Sequence, residues 1–264
     1  MWLKDAGDID AMPELDLRDY LFSLDLNLDI ESQLIAIRGL LARMQQADTA
    51  LTDDIRQIEE HAKKVSGILN EHAVDEWIDR LHHSVYQDAA HSMAAVGMLA
   101  PLIESLFFQC FQGVGHKFFP ASLPNAPHER WLPTYAAQWD CHFTIKRGRL
   151  KVGLVEGIMQ MIEATGLSKR LPSDLKATLS ALFAYRNKMF HLGFEWPMDE
   201  RLSFEKTIAD SKWPSGWFVK STSGDSPWIF YMSKEFITHC LTTIDRVLDA
   251  FSEFVRDELL PNQK

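Results

Sequence analysis

The chain has 264 residues, 46% hydrophobic and 24% charged, the balance of a soluble globular protein with room for one large domain or two small ones. Its formal net charge of −10 counts against a general nucleic-acid binder, which is normally basic. Three scattered cysteines (Cys110, Cys141 and Cys240) make neither a disulfide framework nor a metal-ligand cluster, and a reduced, cytoplasmic setting fits them best.

The N-terminus, Met1-Trp2-Leu3-Lys4-Asp5, leads into acidic sequence with no secretory or transit pattern. Leu and Asp then nearly alternate over residues 15–30, compatible with a short helix or an extended arm. From Leu34 a heptad register runs through Ile37, Leu41, Met44, Asp48, Leu51, Ile55, Ile58, Ala62, Val65 and Leu69, and only Asp48 breaks it. This reads either as a coiled-coil element for dimerisation or as two antiparallel helices turning near Asp48 and Thr49. The turn-like Ala47-Asp48-Thr49 and the cap-like Thr52-Asp53-Asp54 favour the hairpin.

Residues 74–112 carry the longest helical pattern, with Ile78, Leu81, Val85, Ala89, Met93, Val96, Ala100, Ile103 and Phe107 on its inner face and a kink expected at Pro101. Its most apolar run, 93–103, is too short to cross a bilayer, so no membrane partner is expected. His82, His83 and His91 read as surface or packing histidines. Glu104 flanks the inner stripe beside Ile103 and Phe107.

Regularity breaks over 113–150, which holds Gly113, Gly115, Pro120, Pro124, Pro127 and Pro133 among the aromatics Phe118, Phe119, Trp131, Tyr135, Trp139 and Phe143. A connection this long is usually functional, and a lid over a site is one reading. Lys146, Arg147, Arg149 and Lys151 follow as the densest basic cluster of an acidic chain. Beside aromatics they suit phosphate and base contacts of RNA, and a solvated charged turn accounts for them almost as well. Residues 152–164 read as a helix closing at Gly166, and Ser173 looks like the N-cap of the next helix with Asp174 in its first turn.

That next helix carries the main chemistry. Leu175, Leu179 and Leu182 repeat at helical spacing, and Arg186 takes the following place on the stripe, where a packing residue is expected. Asn187 and His191 lie four residues apart and share a face, whereas Arg186 sits about 140° around an ideal helix from His191. Gly193 and Pro197 end the helix, so His191 falls in the last turn, where the dipole favours imidazolium. An Arg, an Asn and a His so placed suit acid–base chemistry at a phosphate, although Arg and His also serve as ordinary helix caps. Further on, the runs Trp217–Lys220 and Trp228–Tyr231 flank Ser221-Thr222-Ser223-Gly224-Asp225, a β-hairpin inserted over 213–232. A last helix turns Ile237, Cys240, Ile244, Val247, Phe251 and Phe254 inward. No phosphate-binding Gly loop, Ser nucleophile motif or zinc motif appears, so no cofactor and no metal is expected.

Arg186, Asn187 and His191 resemble the signature of the higher eukaryote and prokaryote nucleotide-binding (HEPN) superfamily, many of whose members are metal-independent endoribonucleases carrying R-x(4–6)-H, often with Asn after the Arg. The resemblance covers the short motif and a compatible helical pattern from about residue 73 onward, not the first 70 residues. It implies an all-α, HEPN-like helical bundle over 71–264, following an N-terminal arm and helical hairpin or coiled-coil element over 1–70, and with insertions at 113–151 and 213–232. It further implies a homodimer with both motifs at the interface, Glu104 as an orienting acid, RNA as substrate, and a toxin or antiviral defence nuclease held by an antitoxin or regulatory partner. Two alternatives stand beside it: a catalytically silent HEPN-like nucleotide-binding or scaffold protein, and a coiled-coil interaction adaptor.

Overall fold

The computed structural model describes residues 15–117, 123, 128–131 and 138–263. Of the segment 113–150 read as a lid, residues 118–122, 124–127 and 132–137, with Phe118, Phe119, Tyr135 and Pro120, Pro124, Pro127 and Pro133, fall outside the described residues. The described residues are mostly helical and include two small antiparallel sheets. Packing divides it into two units, one made of segments 29–106 and 173–244, the other of 1–28, 107–172 and 245–264.

The first unit opens on α1 (Ile30–Ala62), a single helix of 33 residues. Its N-cap is Asp29, whose carboxylate accepts from the Ser32 N–H at 3.0 Å and is held below the usual range by that bond. The turn expected at Asp48 and Thr49 is absent. The hydroxyls of Thr49 and Thr52 donate back to the carbonyls of Gln45 and Asp48, so these residues satisfy their polar groups inside the helix. The chain turns instead at Gly67, which takes φ 64°, a left-handed value natural to glycine. Asn70 then donates to the Ala62 carbonyl at 2.7 Å and closes the open end of α1. The hairpin is therefore formed by α1 with α2 (Ile68–Lys117), not within 34–69.

Helix α2 continues through Pro101. An 18-residue window in it reaches a mean hydropathy of 1.6, long and apolar enough to cross a membrane by length and composition, although the shorter run read from sequence is not. Of that window 56% is buried within the fold, as in the core helix of a globular protein.

Helices α4 (Leu175–Leu192) and α5 (Met198–Asp210) and the hairpin β3 (Phe218–Ser223) with β4 (Ser226–Met232) surround an aromatic core. Trp196 stacks on Phe230 at 5.6 Å, Phe204 meets both edge-on, and Phe218 and Tyr185 close the cluster. Such ring pairs contribute beyond their buried area, about 1 kcal/mol each. The β3–β4 hairpin thus supplies core, with Phe218, Ile229, Phe230 and Met232 buried. Helix α4 begins after Asp174 rather than Ser173, and no side chain caps it, since Asp174 is engaged with His239 at 3.3 Å.

The second unit contains a 3-10 helix, Leu17–Leu24, started by a capping box of Asp16 and Asp19. Arg18 ties it to Asp249 at 2.8 Å and to Asp245 at 3.1 Å, on the second half of α6 (Lys234–Phe254). Phe107, Phe111 and Phe251 pack together beneath. A second hairpin, β1 (Phe143–Lys146) with β2 (Arg149–Val152), was not expected from the sequence. It is followed by α3 (Leu154–Thr165), whose Gly157 lies so close to the Cys141 carbonyl that an added Cβ would stand 1.9 Å from it. Cys110, Cys141 and Cys240 are all buried, and burial pushes the Cys110 and Cys240 thiols well up from the usual range.

Arg130 organises this unit. It is wholly buried, and its guanidinium donates to the carbonyls of Gln138 (2.8 Å), Asp140 (2.6 Å) and Phe143 (2.6 Å) and to the Gln160 side chain (2.9 Å). Burial lowers its pKa to about 10, which still leaves it charged near neutrality. Gln160 also accepts from Ile145 N–H and donates to its carbonyl, so one Arg–Gln pair fastens β1 to α3.

Candidate active site

The motif helix α4 is held by its middle. Tyr185 is wholly buried, donates to the Phe230 carbonyl at 3.0 Å, and has its phenol pushed up by burial. The next residue, Arg186, leaves the core. It is half-buried rather than a packing member of the Leu175–Leu179–Leu182 stripe, because Tyr185 and Met189 take the inward places of that last turn. Its guanidinium carbon stands 5.9 Å from the Phe190 ring centre, a cation–π contact, and its Nη1 donates to Asn187 Oδ1 at 3.4 Å.

Asn187 and His191 are exposed, one turn apart on the same face. His191 is exposed and makes no side-chain hydrogen bond among the described residues. Gly193 ends the helix, its N–H donating to the Met189 carbonyl at 3.0 Å, and Trp196 donates to the Gly193 carbonyl at 2.8 Å. The C-terminus of α4 is therefore tied into the aromatic core while its outer face stays open.

Phe190 was not singled out from the sequence. It is 55% exposed, yet its ring tip lies over Gly97 of α2. Ser92 approaches Tyr185 in the same way, so five residues along α2 match five along α4, and the two helices run side by side in one direction. Glu104 lies seven positions beyond Gly97, about 10 Å further along α2 at 1.5 Å per residue, whereas α4 ends two residues after Phe190. Glu104 is half-buried and has an interaction of its own. The fold brings the three motif residues together at one helix end and sets Glu104 apart from them.

The basic cluster belongs to the other unit. Lys146, Arg147, Arg149 and Lys151 are exposed on the β1–β2 hairpin and form no ion pair among the described residues. Arg147 and Gly148 are the two turn residues, at φ 51° and 69°. Both being positive, the turn has the form that matches strand twist, and it leaves Arg147 in a conformation more natural to Gly or Asn. Among the described residues no group of three or more His, Cys, Asp or Glu side chains is placed to hold a metal ion.

Comparison with protein-family models, with curated proteins and with solved structures finds no match for this chain.

Proposed function

We propose that the protein is a metal-independent endoribonuclease of HEPN type that cuts RNA by attack of a ribose 2′-OH on the adjacent phosphate. The observation that carries the reading is the open end of α4, where Arg186, Asn187 and His191 stand together on a helix whose opposite face is locked into the core. A base removes the 2′-OH proton, the 2′-oxygen bonds to phosphorus, the bond from phosphorus to the 5′-oxygen breaks, and an acid protonates that oxygen. His191 is suited to either proton transfer, since its imidazole is exposed and makes no side-chain hydrogen bond among the described residues. Arg186, its guanidinium seated on Phe190, holds the phosphate oxygens as their charge develops. Asn187 orients the guanidinium or the phosphate. The other proton-transfer group comes from the same helix end of a second copy in a homodimer, and the basic hairpin Lys146 to Lys151 adds sequence-independent phosphate contacts. A toxin or defence role, with a partner protein that silences the nuclease, is the biological setting of this reading.

The test is cleavage of total RNA in EDTA. Products with 2′,3′-cyclic phosphate and 5′-OH ends, no cleavage of DNA, and a loss on the order of 10²–10⁴ in rate for His191→Ala are expected. Cleavage that needs added metal, or His191→Ala as fast as wild type, overturns it.

The adaptor reading is favoured by one observation: Ile68, Leu69, Ile78 and Leu81 at the α1–α2 hairpin are exposed apolar side chains. It predicts a folded chain without nuclease activity.

A further inference from the structure

The one polar residue in the α1 heptad stripe, Asp48, does not face solvent alone. It opens onto a groove of 610 Å³ between α1, α2, β4 and the start of α6, all within one unit. The walls are apolar, with Leu41 and Met44 on α1, Met232 on β4, and Ile237 and Leu241 on α6. Its volume is that of a small-molecule site, and such sites pair apolar walls with a few converging polar groups.

Those polar groups lie at the α1–α2 side. Asp48 accepts from Gln87 Nε2 at 3.0 Å, and its Oδ1 is 2.6 Å from His91 Nδ1, close enough for an ion pair though not aligned as a hydrogen bond. Asp88 faces both of them, half-buried, with no hydrogen bond and no ion pair among the described residues. One imidazole therefore serves two carboxylates. The other charged side chains on the lining are Arg38 and Asp53, fifteen residues apart on α1, and Lys234 and Glu235 on α6, so their charges cancel in number. A half-buried carboxylate in an apolar groove without a cation is unfavourable unless something supplies one.

We infer that this groove binds a small aliphatic amine, its ammonium group placed between Asp48 and Asp88 and its methylene chain laid along Leu41, Met44 and Leu241. The ammonium gives Asp88 a donor and Asp48 a further one beside Gln87, and the chain covers apolar wall that is otherwise wetted. The groove runs along α1 from Arg38 to Asp53, fifteen residues or about 22 Å at 1.5 Å per residue, so an extended ligand fits it better than a compact one. The inference stands apart from the nuclease reading and uses none of its residues.

Calorimetric titration of the full chain near neutral pH with spermidine and cadaverine, against hexanoate and adenosine monophosphate, tests it. The amines are expected to bind and the anions not. Asp48→Asn and Asp88→Asn should each weaken amine binding by about tenfold or more through loss of a charged hydrogen bond. Leu41→Trp should abolish it by filling the groove, and circular dichroism establishes that each variant is folded. Failure of the folded wild type to bind either amine at millimolar concentration overturns the inference. So does unchanged affinity in both Asn variants, or tighter binding of the anions.

Discussion

Phe190 lies on Gly97: a Cβ added at Gly97 would stand 3.1 Å from the Phe190 ring tip. The Arg186 guanidinium carbon stands 5.9 Å from the centre of the same ring, so a glycine on α2 bears on the ring that the motif arginine contacts on α4. Under the nuclease reading, Gly97→Ala lifts the ring by a few tenths of an ångström and carries Arg186 with it. Mid-helix alanine stabilises by about 0.5–1 kcal/mol relative to glycine, so the variant should melt no lower than wild type while cleaving more slowly. Phe190→Ala, which removes the seat, should cost on the order of tenfold to a hundredfold in kcat through misplaced phosphate contacts. Phe190→Leu should recover part of the loss. Thermal melts and single-turnover cleavage of an RNA oligonucleotide check both.

Among the described residues the partners of Arg186 are Asn187 and Phe190, and none is His191. If two copies complete the site, the protein is a homodimer at micromolar concentration, and specific activity falls on dilution through the dissociation constant. Mixing inactive Arg186→Ala with inactive His191→Ala should restore part of the cleavage through mixed dimers. Light scattering showing a monomer, with activity linear in dilution, contradicts this.

Arg147 carries its charge at a positive φ of 51°. Replacing it with glycine should raise stability by up to about 1 kcal/mol, since the left-handed conformation strains any residue with a Cβ. If the hairpin meets RNA, the same change should weaken binding and lower the slope of log affinity against log salt by about 1. Filter binding at several salt concentrations reads the second effect and denaturant melts the first. An unchanged salt slope makes the hairpin a solvated turn.

Asp88 gives a pH signature. Burial, and next the charge of Asp48, push its carboxyl up to about 6 from an ordinary 3.8, with His91 pulling the other way. Tyr231 feels the same site, its phenol raised by burial and by Asp88. Arg38, Asp53, Lys234 and Glu235 line the rest of the groove. The folded state holds the Asp88 proton where the unfolded state has lost it. This group's contribution to stability is therefore most favourable below pH 4, declines as pH rises from about 4 to 6, and is level above that. Asp88→Asn should be more stable than wild type at pH 7, and the difference should shrink as pH falls through 6. Equal melting of the two proteins at every pH would contradict it.

The apolar stripes carried much of the fold in plain view. Leu34 and Ala62 are buried, and the heptad positions between them are the less exposed side of α1. The hairpin around Gly224 was equally readable, because Gly supplies the positive φ its turn uses. The false turn at Asp48 arose from reading polar residues as breakers, when threonine hydroxyls can bond back within a helix and Asp48 has a groove to face. Strand β2 escaped notice because all four of its residues are exposed and show no alternation. Arg130 gave no signal at all, since its partners are mostly main-chain carbonyls, which every residue offers. At the motif, the spacing of Asn187 and His191 was legible from helical geometry. The seating of Arg186 was not, because it depends on the absence of a side chain at Gly97, far away in sequence.

The buried thiols are divided between the two units, Cys110 and Cys141 in one and Cys240 in the other. A thiol held protonated and out of reach reacts only when its surroundings open. The native cysteines are therefore built-in clocks, one set for each unit. Under a pulse of alkylating reagent, mass spectrometry of the tagged peptides would time the opening of the motif-bearing unit at Cys240 separately from that of the basic-hairpin unit at Cys110 and Cys141. Coincident tagging would mean that the whole chain unfolds as one cooperative body. Staggered tagging would mean that one unit survives the loss of the other.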